Sequence, residues 1–89
     1  MKAVITVLGK DRVGIIAHVS SVLADNHVNI LDISQTILQD FFTMIMLVEF
    51  DNESIRIPVL AEKLNTVGAE IGLQIRVQHE DIFSAMHRV

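Results

Sequence analysis

A chain of 89 residues, 51% of them apolar, supports one domain with one core, burying only about 60–65% of its extended surface. The absence of cysteine excludes disulfides, thiolate catalysis and the commonest structural zinc sites. A formal charge of −4 with no run of Lys or Arg disfavours an electrostatic grip on nucleic acid or on anionic lipid.

The chain opens with Ala3-Val4-Ile5-Thr6-Val7-Leu8, a β-branched run that reads as a buried strand and is too short to span a membrane. It is also shorter than the 7–15-residue apolar region of a secretory signal. The expected location is therefore the cytoplasm, without a membrane association. Gly9-Lys10-Asp11-Arg12-Val13-Gly14-Ile15 follows, a polar turn bracketed by glycines. From Ile15 the period changes: Ile15, Ile16, Val19, Val22 and Leu23 recur on one face of a helix expected over about 14–26. His18 falls on the flank of that stripe. Asn26 or His27 is the residue expected in the left-handed position that closes the helix.

A second strand is expected from Val28 to about Leu38, with Leu31, Ile33 and Ile37 toward a core and Asp32, Ser34 and Thr36 away from it. Gln39-Asp40 turns the chain into a third strand, Phe41 to Phe50. Phe42, Met44, Met46, Val48 and Phe50 point one way; the other side, with Ile45 and Leu47, is too apolar for open solvent. That places the third strand near the middle of a sheet. A polar turn leads to a second helix, beginning between Ser54 and Pro58 and ending at Ile71. Ile57, Leu60, Leu64, Val67 and Ile71 form its buried stripe, Gly68 permits close approach of a neighbour, and Gly72 sits where a helix is closed. Leu73, Ile75 and Val77 face inward in a fourth strand. The tail from Asp81 can form a short helix with Ile82, Phe83 and Met86 on one side.

Strand–helix–strand–strand–helix–strand closes most simply as a ferredoxin-like α+β fold, a four-stranded antiparallel sheet with two helices on one face. The other face would carry Thr6, Ser34, Thr43, Ile45, Leu47 and Arg76, a mixed surface for a second subunit or the tail to cover. The order fits a single domain over residues 1–89.

Function must come from particular residues, since this fold serves many activities. RNA-binding versions stack bases on exposed central-strand aromatics, whereas here Phe42 and Phe50 are needed inside. His18, His27, His79 and His87 are scattered and make no metal-ligand spacing. Ser20, Ser21 and His18 are too close on one helix to form a nucleophile–base–orienter set. Arg12 and Asn29 could imitate the pair that orients water in an acyl-phosphate hydrolase, but the Asp11 carboxylate would repel the phosphate. These readings imply no enzyme, no cofactor and no metal. What remains is a small-ligand site: backbone N–H groups at Gly14 and Ile15 suit a carboxylate, and the Asp11 carboxylate with the Asn29 amide oxygen suits an ammonium group. The opposing reading is local, with Asp11 capping the helix and Asn29 steadying a turn.

The loop Gly9-Lys10-Asp11-Arg12-Val13-Gly14-Ile15 and the later step Val28-Asn29-Ile30 together resemble the ACT domain family. There an Asp-Arg-Pro-Gly-like turn precedes the helix and a Gly-Val-Asn-Ile-like step opens the second strand. The likeness spans nearly the whole chain. It is nearest to small stand-alone ACT proteins and those related to the glycine cleavage system's transcriptional regulator. Val13 stands in place of the usual Pro, His27 in place of Gly, and Asp11 where amino-acid-binding relatives often carry Asn. The resemblance implies a regulatory module that binds an amino acid or similar small effector between paired subunits. It implies a homodimer and a ligand site of Asp11, Arg12, Val13, Gly14 and Ile15 with Asn29 and Ile30 from the second strand. A regulated enzyme or transcription regulator would be its protein partner. The alternative is a ligand-free interaction module or regulatory subunit of such a protein.

Overall fold

The computed structural model describes residues 1–10, 13–51 and 53–86. The elements are β1 (Lys2–Lys10), α1 (Ile15–Asp25), β2 (Asn29–Leu38), β3 (Phe41–Glu49), α2 (Ile57–Ile71), β4 (Leu73–His79) and α3 (Glu80–Met86). The strands form one sheet in the order β2-β3-β1-β4, every neighbouring pair antiparallel. This is the expected ferredoxin-like arrangement.

Alternation in the two central strands decides where the core lies. Ala3, Ile5 and Val7 of β1 and Phe42, Met44, Met46 and Val48 of β3 are all buried, and so are Ile15, Val19 and Leu23 of α1 and Leu60 and Leu64 of α2. Apolar side chains every second residue in a strand meet apolar side chains every third or fourth residue in a helix, which joins sheet and helices into one core. Ile16, expected on the buried stripe of α1, instead remains 42% exposed. It stands one residue, or about 100°, around the helix from Ile15, and the core is already filled from the Ile15–Val19–Leu23 direction.

Both helices end on left-handed residues. His27, at φ 58, closes α1: its N–H donates to the Ala24 carbonyl at 3.1 Å and the Val28 N–H donates to the Leu23 carbonyl at 2.9 Å, the paired bonds of a Schellman motif. Asn26 adds a side-chain bond from Nδ2 to the Val22 carbonyl at 2.8 Å. Gly72, at φ 74, closes α2. The start of α2 falls at Ile57, with Pro58 inside its first turn, where a missing N–H costs nothing. The turn before it is held by the Asp51 carboxylate, which accepts from the Glu53 N–H at 2.9 Å. Asn52 of that turn lies outside the described residues.

His27 has a Cβ where glycine would have none. Relief of the left-handed conformation is worth about 1–2 kcal/mol, against roughly 0.5–1 kcal/mol of extra chain entropy lost by glycine. His27→Gly should therefore stabilise the fold by about 0.5–1 kcal/mol, read as a rise in the urea midpoint at constant slope.

β2 departs from expectation. It is an edge strand, and none of its residues is buried. Its pairing with β3 shifts between Ile30 and Asp32, so Leu31 is the extra residue of a bulge. Ile30 lies opposite Val48 and Ile33 opposite Met46, which puts both on the helix-facing side. A strict alternation would have separated them. Ile33 and Ile37 point the expected way yet stay 43% and 54% exposed, because the helix layer stops short of this edge.

The tail forms the short helix expected of it. α3 lies against β1 and β4, and Val4, whose side chain is on the face away from Ala3 and Ile5, is only 6% exposed. The tail thus covers one end of the sheet's second face, while Ile82 points to solvent. His79 accepts from the Asp81 N–H through Nδ1 at 3.1 Å. His87 lies outside the described residues.

Candidate functional site

The β1–α1 turn opens at the end of the sheet where β1, β2 and β3 exchange their termini. Lys10 is opposite Phe41, and Phe41 is opposite Leu38. Gly14 takes φ 90 as the residue before α1, and among the described residues no side chain caps the helix. The His18 N–H donates back to the Gly14 carbonyl at 2.9 Å. The His18 ring lies over the same glycine: a Cβ there would sit 3.5 Å from His18 Cδ2. The ring leaves room for a Cβ, so it is the positive φ that glycine answers at this position.

A cleft of about 380 Å³ lies beside this turn, lined by Gly14, Ile15, Ile16, Ala17, Gln35, Ile37 and Phe42. Of the expected site residues, the structure brings Gly14 and Ile15 to the cleft, and it leaves Val13 fully exposed at its rim in sequence. Asp11 and Arg12 lie outside the described residues. Asn29 and Ile30 are at the opposite end of the sheet, since Asn29 is opposite Glu49 and Glu49 is opposite Lys2. At about 3.3 Å per residue, the length of β1 separates them from Gly14 within one chain. Any meeting of the two halves of the site therefore requires a second copy.

The cleft contains residues that the motif did not point to: Ile16, Gln35, Ile37 and Phe42. One sequence signal could have found Gln35. It is in phase with Ile33 and Ile37 and stands opposite the fully buried Met44, a position where alternation calls for an apolar side chain. Among the described residues, no three His, Asp or Glu lie close enough together to hold a metal ion, and no helix is long and apolar enough to cross a membrane.

A ferredoxin-like sheet with a glycine turn before α1 serves many functions, so the fold by itself names none. The chain belongs to the ACT domain family: the family's model matches residues 2–78. A UPF0237 protein of Methanocaldococcus jannaschii is 51% identical over 88 residues, spanning 99% of this chain and 98% of that one. An ACT domain protein from Streptococcus pneumoniae superposes with a TM-score of 0.83 at 42% identity, covering 98% of both chains. A crystal structure described as that of a candidate glycine cleavage system transcriptional repressor superposes with a TM-score of 0.77 at 26% identity. It is matched over 86% of this chain and 44% of its own length. The expected kinship with regulators of that type is therefore shown.

Proposed function

We propose that this protein is a regulatory amino-acid sensor that works as a homodimer in the cytoplasm, its ligand held where the β1–α1 turn of one copy meets the start of β2 of the other. The observation that carries this reading is the state of β2. It is ten residues long, lies at the sheet edge and is exposed along its length except for the half-buried Ile30. Its stretch Ile33–Leu38 contains no charge and no proline. Edge strands are ordinarily blunted by such residues, by shortness or by cover. The other edge, β4, is seven residues long, carries Arg76 and runs directly into α3.

Two β2 edges pairing antiparallel about a two-fold axis would join the sheets into eight strands. A symmetrical register sets the partner's Asn29 near Leu38, at the end where Gly14 and Ile15 begin α1. The positive end of α1 then faces the ligand's carboxylate. Asp11 and the partner's Asn29 supply acceptors for its ammonium group, and Arg12, Val13 and Ile30 complete the surround. A ligand shared by two copies stabilises the dimer in proportion to occupancy and signals when its affinity differs between two states.

The test is a thermal-shift screen with the twenty amino acids beside sedimentation of the unliganded protein. A dimer whose melting temperature rises with at least one amino acid is expected. In Asn29→Ala the ligand-dependent rise should shrink, while the unliganded protein stays within about 1 kcal/mol of the parent because the side chain is exposed. A monomer in sedimentation, or equal losses with and without ligand, would remove the reading.

A further inference from the structure

The cleft beside Gly14 has an unusual composition for a surface of this chain. Its walls are Ile16 of α1, Ile37 of β2 and Phe42 of β3, and among the described residues its one polar lining side chain is the neutral Gln35. Ile16 and Ile37 occupy positions whose period belongs to the core, yet they stay exposed because the helix layer ends before β2. Among the described residues, no charged side chain lines the cleft. Its volume, about 380 Å³, is at the small end of ligand pockets: enough for an amino-acid side chain and too little for a helix or an extended peptide.

We infer that this cleft is the side-chain subsite of the bound amino acid, and that it selects an uncharged aliphatic one of the size of valine, leucine, isoleucine or methionine. The inference rests on the amino-acid reading above and adds the class of ligand to it. Against Ile16, Ile37 and Phe42 a charged side chain would lose water without gaining a partner from those walls. A side chain as small as that of glycine, alanine or serine would leave Ile16 and Ile37 in water. Gln35 sets the neutrality of the wall: its amide can face a neighbouring carbon chain without bringing a charge.

Isothermal titration of the full-length protein with leucine, isoleucine, valine, methionine, alanine, glycine, aspartate and lysine tests this. The best aliphatic ligand should bind about ten-fold tighter than alanine, the low end of methylene discrimination because the walls are half-open. Aspartate and lysine should not bind where leucine saturates. Ile37→Ser should bring the leucine-to-alanine ratio within about three-fold while leaving alanine affinity unchanged, a readout that general destabilisation would not produce. Gln35→Glu should weaken leucine binding with the melting temperature of the unliganded protein unchanged. Tight binding of glycine, serine or a charged amino acid, with leucine no better, would overturn the subsite and leave the sensor reading standing. No binding by any amino acid would overturn both.

Discussion

Gly68→Ala is expected to destabilise the protein by about 1–3 kcal/mol, the usual range for forcing atoms into a filled core, although helix propensity alone would favour alanine by roughly 1 kcal/mol. A Cβ at Gly68 would come within 2.8 Å of the Leu73 carbonyl oxygen and 3.2 Å of the Ile75 side chain. The first of these is backbone and cannot turn away. α2 would have to lift off β4, and Leu64, one turn earlier in α2 and fully buried, would lose its packing with it. Gly68→Val should cost more still. Chemical denaturation of both variants, followed by circular dichroism, reads the effect as a lowered midpoint at constant slope. A gain in stability for the alanine variant would mean that α2 and β4 are farther apart than the structure places them. At Gly9 a Cβ would be 2.5 Å from Leu73 Cδ2, the end of a flexible side chain, and 3.2 Å from the Gly72 carbonyl oxygen, so its closest contact, unlike that at Gly68, is with a side chain.

Leu64→Ala should cost about 2–5 kcal/mol, the range for emptying a leucine site in a close-packed interior. Leu64 and Leu60 are both fully buried on α2, and Met44 and Met46 are fully buried on β3. Methionine is the most adaptable of the core residues, so collapse of neighbouring sulfur-bearing side chains into the space would bring the cost toward the lower figure. The total stability of a domain of this size is about 4–13 kcal/mol, so the variant would sit close to unfolding at 37 °C. An amino acid that binds only the folded dimer should then raise its melting temperature in proportion to occupancy. A cost below 1 kcal/mol, measured by urea titration at fixed protein concentration, would show that α2 is not a principal core element.

The residues of the site divided between what local pattern reveals and what it conceals. Gly14 announced itself as a glycine between a β-branched run and a helical stripe, and the structure finds it at φ 90 beneath the His18 ring. Ile37 and Phe42 carry no such local mark, and Gln35 only that of a polar residue in an apolar phase, because the feature they share is a cleft with residues some twenty positions earlier. Asn29 was a candidate from its amide chemistry and from the resemblance, and within one chain it lies at the opposite end of the sheet from Gly14.

By itself, the order of residues determined the number and type of the main elements, the inward faces of β1, β3 and β4, and the glycine that closes α2. Those properties depend on neighbours two to five residues apart, and side-chain periodicity records such neighbours directly. Only the tertiary structure decided that β2 lies at the edge, that a bulge at Leu31 brings Ile30 and Ile33 to the same side, and that Ile16 opens onto a cleft instead of the core. Each of these follows from which strand is placed beside which and from how far the helix layer reaches. A strand's own alternation is the same whether or not another element comes to cover it.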